Sequence, residues 1–360
     1  MQKTEIILVI NPGSTSTKIA LFENETKIMS ETLRHPDEDL APYPWVMDQV
    51  EYRKTHIERV LRENGFDLST LTCVMSRGGQ LPPVPSGAFA ITQDMIDFVY
   101  TVKVAAHASN TGCVIAHAIA KEYSIPAYVY DPITVDELSP VARITGLPEL
   151  PKQSRGHALN THAMAHKCAR EVLHRPPSEC TFIVAHLGGG CSTWLIDKGY
   201  STDMYGDDDA MFCPERCGRL QAVELAKLCY SGNYTLESLS RRLRGGSGMK
   251  ALLGTTDVRE VEARIAAGDE YAKLVHQAFT YNIAKSIGDL ATAVCGKVDR
   301  IILTGGIAYS KMITDDIVAR VGFIAPVELM PGEYEMEALA EGGLRVLRGE
   351  EQPKTIRWPK

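Results

Sequence analysis

Between Ile6 and Phe22 the chain reads IILVINPGSTSTKIALF: an apolar run, a turn of small residues, one Lys, and a second apolar run. Gly13 allows close backbone approach, Ser14, Thr15, Ser16 and Thr17 offer hydroxyls, and Lys18 supplies a point charge, a combination suited to anionic oxygens such as those of a phosphoryl group. Neither a GxxxxGK[ST] loop nor GxGxxG is present here. Taken alone, the stretch reads first as an ordinary Gly/Ser hairpin. Other groups with chemical capacity follow at wide spacing. Arg77 precedes Gly78-Gly79, Asp131 follows an apolar tetrapeptide, and His157 follows a polar Pro/Gly connector. His186 leads into Gly188-Gly189-Gly190, Arg216 lies in Pro214–Gly218, and Gly305-Gly306 follows another apolar run. His162 and His166 have helical i, i+4 spacing but lack the Glu of HExxH, so they read as helix-face histidines. Cys213 and Cys217 form a CxxxC with no second pair, a weak pattern for zinc.

These groups need a scaffold that delivers them to common edges. The opening stretch reads as strand, turn and returning strand, and Thr181–Asp197 repeats that pattern with a Gly turn, which points to an internally duplicated protein. Leu71–Met75 and Ala127–Tyr130 read as short buried strands that end at Arg77 and Asp131, and Arg300–Leu303 as a strand ending at Gly305. Helical patterns span 48–64, with Val50, Ile57, Val60 and Leu61 as the apolar set, then 92–119 with an interruption at 107–110, and 157–173. Further helices are expected at 220–230, 236–243, 257–267, 271–294 and 333–348. The fold class is therefore α/β.

The 360 residues allow two domains with real cores. A net charge of −7 with scattered basic residues argues against nucleic acid. The apolar runs are too short for a signal segment or a membrane span, which places the chain in the cytoplasm. Nine cysteines at irregular spacing fit reduced thiols.

Three Gly turns in this order on a duplicated scaffold resemble the acetate and sugar kinase, Hsp70 and actin superfamily. Asn11–Lys18, His186–Gly190 and Pro214–Gly218 resemble the acetate/butyrate kinase family closely, and NPGSTSTK its butyrate side. The resemblance implies two similar actin-like, ribonuclease H-like domains, each a mixed sheet flanked by helices, with a nucleotide cleft between them. The domains expected are 1–158 with about 337–360, and 159–336. It also implies ATP and Mg²⁺, a short-chain carboxylic acid as acceptor, an acyl phosphate as product, and a homodimer or higher oligomer. Carried over by position, Asn11, Ser14, Ser16 and Lys18 match the first phosphate motif, His186 with Gly188, Gly189 and Gly190 the second, and Gly305 and Gly306 the adenosine motif. Arg77 and Arg216 stand for the active-site arginines, His157 for the histidine that steadies the transferring phosphoryl group, and His107 for the substrate-side histidine. Asp131, Asn11 and Glu335 would serve the metal.

Two departures from the family pattern stand out. Gly156 occupies a position usually held by an aromatic residue that walls the acid pocket, which predicts a larger pocket and an acceptor of four carbons or more, straight or branched. Asp207-Asp208-Asp209 replaces a Gly-rich stretch, either as a solvated turn or as an altered metal shell. The competing readings are a kinase for acetate or propionate and, from another class, an actin- or Hsp70-like nucleotide-driven binding module.

Overall fold

The computed structural model of the chain describes residues 3–101, 108–206 and 208–355. His107 and Asp207 lie outside the described residues. The chain forms two compact units, Met1–Asp136 with Tyr334–Lys360, and Glu137–Glu333. Residues 137–158, expected with the first domain, fall in the second unit.

The first unit is built on a six-stranded sheet: β1 (Ile6–Pro12), β2 (Ser16–Glu23), β3 (Thr26–Arg34), β4 (Cys73–Arg77), β5 (Ala88–Ala90) and β6 (Ala127–Tyr130), in the spatial order β3-β2-β1-β4-β6-β5. β1, β2 and β3 form an antiparallel meander, whereas β4 and β6 run parallel to β1. Consequently β1, β4 and β6 all end at one edge, where Asn11, Arg77 and Asp131 emerge. Leu8, Ile10, Ile19, Leu21, Val74 and Val129 meet Ile57 and Leu61 of the Val50–Glu63 helix and Ile115 of the Ser109–Tyr123 helix in one apolar cluster. The opposite face is covered by the Glu335–Leu347 helix, whose Gly343 lies against Met75 and Ile7.

The second unit repeats the plan with five strands: β7 (Thr181–Leu187), β8 (Cys191–Asp197), β9 (Tyr200–Tyr205), β10 (Arg300–Gly305) and β11 (Val327–Pro331), in the order β11-β10-β7-β8-β9. Again a three-stranded meander carries the Gly turn, and the sheet continues on the other side of the first strand with parallel β10 and then β11. Ile183, Ala185 and Leu187 pack with Phe279, Ile283 and Ile287 of the long Glu270–Ala293 helix. Each expected hairpin is present, with Asn11 opposite Lys18 and His186 opposite Ser192.

Close packing of the terminal helix depends on Gly342. A Cβ there would stand 2.5 Å from Cδ2 of the Tyr130 ring. That ring cannot move aside, because its hydroxyl is held by Arg345 Nη2 at 2.6 Å and donates to Glu351 Oε2 at 2.9 Å. Gly288, in the long helix, has nothing within 4 Å of the same position. We therefore expect Gly342→Ala to destabilise the protein by about 1–3 kcal/mol. Gly288→Ala should stabilise it by about 0.4–1 kcal/mol. Chemical unfolding of the two variants measures both signs.

Candidate active site

In the first unit the parallel strand ends bring three expected residues together. Glu335, the first residue of the terminal helix, is buried and its Oε2 accepts from Asn11 Nδ2 at 2.7 Å and from Arg77 Nη1 at 3.2 Å. A carboxylate shared by an amide and a guanidinium is held in one orientation, and the remaining oxygens of Asn11 and Glu335 are hard donors of the type that suits Mg²⁺, which takes one or two carboxylates and completes its shell with water and phosphate. Asp131 stands at the same edge, buried, with a left-handed backbone at φ 39°. Its Oδ1 accepts from the Gly87 N–H at 2.6 Å while its own N–H donates to the Gly87 carbonyl at 3.2 Å, so part of this carboxylate secures the neighbouring turn. Gly79 is required behind Arg77: a Cβ would fall 1.8 Å from Asn110 Oδ1, which accepts from the Gln80 N–H at 2.7 Å.

The first turn exposes Ser14 and Lys18 and leaves Ser16 half-buried. Beneath it lies Arg53, fully buried, which donates to the carbonyls of Gly13, Ser14 and Ser16 and to Thr17 Oγ1. Thr17 Oγ1, accepting from Arg53, can give its own proton to His35 Nε2 at 2.8 Å. Burial, aided by the Arg53 charge, pushes the His35 pKa down to about 4. Arg53 was not singled out in the sequence, although it lies one helical turn before Ile57 and two before Leu61 on the buried side of its helix.

In the second unit His157 caps the Ala158–Cys168 helix and stacks on His186, ring centroids 3.9 Å apart and planes 10° from parallel. His157 Nδ1 meets Ser192 Oγ at 2.9 Å. The same oxygen is reached by Trp194 Nε1 at 2.9 Å and by the His157 backbone N–H at 3.4 Å. Both of these are donors, and Ser192 is fully buried, so its hydroxyl proton has His157 Nδ1 as its acceptor. With Nδ1 accepting, the proton of neutral His157 resides on Nε2, which becomes a donor. His186 is oriented similarly. Asn160 Nδ2 reaches His186 Nδ1 at 3.0 Å and Thr304 Oγ1 at 3.2 Å, which leaves Nε2 of His186 as the protonated nitrogen, beside Gly188. Ser192, Trp194 and Asn160 escaped sequence reading because their partners are distant in the chain.

Gly156 has close neighbours on the side where a side chain would start. A Cβ would meet Trp194 Cζ2 at 3.0 Å and both Met204 Cε and Ser192 Cβ at 3.1 Å. Gly156 is thus packed closely against the indole of Trp194, which is fully buried.

Gly188 and Gly189 join Gly306, Ile307, Ser310 and Glu262 around a cleft of about 790 Å³ within this unit. Gly305 has φ 88°, and a Cβ on it would lie 2.3 Å from the Leu187 carbonyl, so only glycine permits this approach of the second and third Gly turns. Arg216 sits half-buried on a turn fixed by the Cys213 N–H donating to the Arg216 carbonyl at 3.1 Å. Gly248, φ 64°, makes room for that turn, its Cβ position being 1.8 Å from the Cys213 carbonyl. The Cys213 thiol accepts from the Cys191 N–H at 3.1 Å. Asp208 pairs with Arg244, and Asp209 Oδ1 accepts from the Gly206 N–H at 2.6 Å, with burial raising its pKa. His162 Nε2 meets Ser201 Oγ at 2.6 Å. Among the described residues no helix is long and apolar enough to cross a membrane.

The profile of the acetokinase family matches residues 155–331. Over 349 residues the chain is 47% identical to a protein named probable butyrate kinase 2 from Caldanaerobacter subterraneus, covering 97% of this chain and 98% of that one. Butyrate kinase 2 from Clostridium acetobutylicum is 44% identical over 350 residues, with the same coverage of 97% and 98%. Among solved structures, the acetate kinase of Porphyromonas gingivalis superposes with a TM-score of 0.79 at 18% identity, over 95% of this chain and 100% of that one. The fold is accordingly that of the duplicated, actin-like α/β kinases, and the chain belongs to the acetokinase family.

Proposed function

We propose that the chain transfers the γ-phosphoryl group of ATP directly to a short-chain carboxylate, butyrate or a branched acid of four to five carbons, and runs the reverse reaction to make ATP from the acyl phosphate. Identity of 47% along almost the whole chain to a protein named a butyrate kinase is the observation that carries this reading.

The residues fit the chemistry. A carboxylate is already ionised at neutral pH, so no base is needed to activate the nucleophile. Two anions must instead be brought together and their repulsion offset. Arg77 and Arg216 present guanidinium forks suited to carboxylate and phosphate oxygens. Arg77 has one nitrogen on Glu335, which sets the direction of the others. His157, with its proton on Nε2, donates toward an equatorial oxygen of the transferring group without changing its protonation state. Ser192 is the group that keeps it in that form. Asn11 and Glu335, with Asp131 nearby at the same strand edge, would hold Mg²⁺, whose contribution is to neutralise phosphate charge. Lys18, Ser14 and Ser16 of the first turn would serve the phosphates, and within the second unit the cleft lined by Gly188, Gly306 and Ile307 offers room for the adenosine.

Trapping the acyl phosphate with hydroxylamine, from Mg-ATP and each of acetate, propionate, butyrate, isobutyrate, valerate and isovalerate, tests the acceptor. The largest kcat/KM is expected at four or five carbons; a maximum at acetate would discard this choice of acceptor, and ATP hydrolysis indifferent to every acid would favour a nucleotide-driven binding module. Replacing His157 by Ala should lower kcat by about 100- to 1,000-fold, the usual effect of removing one preorganised donor. Ser192→Ala should lower kcat by roughly 10- to 100-fold through loss of the tautomer, with the KM for ATP nearly unchanged. A Ser192→Ala enzyme with wild-type kcat would show that this hydroxyl does not set the state of His157.

A further inference from the structure

A buried arginine is ordinarily matched by a carboxylate, since an unpaired charge in the interior is strongly unfavourable. Arg53 is 0% exposed, and every group it touches is neutral. Nη1 donates to the carbonyls of Gly13 at 3.0 Å and Ser16 at 3.2 Å and to Thr17 Oγ1 at 2.9 Å. Nη2 donates to the Ser14 carbonyl at 2.9 Å, and both Nη2 and Nε reach Gln49 Oε1, at 2.9 and 3.1 Å. Among the described residues no carboxylate meets it. Burial pulls its pKa down to about 10, which still leaves it charged at neutral pH.

The direction of those carbonyls has a geometric consequence. In a trans peptide the C=O and the following N–H point opposite ways, and the chain has no cis peptide among the described residues. With the Gly13 and Ser14 carbonyls drawn inward onto Arg53, the N–H groups of Ser14 and Thr15 are turned outward. Among the described residues neither N–H has a partner, and both residues are exposed. Two outward amides over a buried cation have the makings of an anion seat.

We propose that Arg53 is a positioning residue for the nucleotide's phosphates: it never touches them, but it turns the Ser14 and Thr15 amides toward them and supplies from below the positive charge whose counter-ion is the ligand. The inference rests on the reading of this turn as a phosphate site and extends it to a residue outside the motif.

The test compares binding of ATP and of adenosine to the full chain by calorimetry, because adenosine lacks the groups that the seat would hold. Wild-type protein should bind ATP more tightly than adenosine. Arg53→Gln should leave adenosine affinity unchanged and cut the ATP-to-adenosine affinity ratio by about 10- to 100-fold, the effect of one or two charge-assisted hydrogen bonds. Arg53→Lys keeps the charge but cannot fork onto three carbonyls, so its ratio should fall by less, and it serves alone if the Gln variant does not fold. A wild-type ratio in either variant, with adenosine binding intact, overturns the role of Arg53. Equal affinity for ATP and adenosine in the wild-type protein overturns the phosphate reading itself, and the proposal with it.

Discussion

Burial of the first strand in each unit is the constraint on which the rest depends. In β1 and in β7 every residue after the first is buried, so neither strand can present a polar side chain to solvent along its length. Chemistry is possible only where these strands end. Parallel neighbours then bring their own ends to the same edge: β4 and β6 beside β1, β10 and β11 beside β7. Asn11, Arg77 and Asp131 share one edge for this reason, and His186, Gly188 and Gly305 share the other.

The two halves use the same architecture for different electrostatic purposes. The first edge collects formal charge: Lys18, Arg77, Glu335 and Asp131, with Arg53 below. The second collects neutral donors fixed by hydrogen bonds, His157 through Ser192 and His186 through Asn160, and gains close backbone approach from its glycines.

Much of this was legible in the sequence because it is written in short-range patterns. The apolar-turn-apolar units gave both central hairpins, and Gly-Gly after an apolar run gave the third turn. What escaped is of two kinds. Strands β3, β9 and β11 carry no sustained apolar pattern: in β3 only Leu33 is buried, so its pairing with β2 is dictated by the sheet edge and not by its own residues. The supporting residues escaped because their meaning lies in partners far along the chain. The surroundings of Gly156 are of the same kind, since Trp194, which stands against it, is distant in the chain. Arg53 did leave a trace, a charge in phase with Ile57 and Leu61 where an apolar residue would be expected.

The carboxylate that Asn11 and Arg77 share belongs to residue 335, on a helix that returns to the first unit after the whole second unit has been traversed. On the ribosome, therefore, the opening hairpin emerges long before the helix that supplies its partner. Residue 11 gains its partner only once that helix has been made, and until then the face of the sheet that the helix covers stays bare. A nascent chain truncated anywhere before that helix would carry the first turn but neither the Glu335 oxygens nor the cover over Ile7 and Met75.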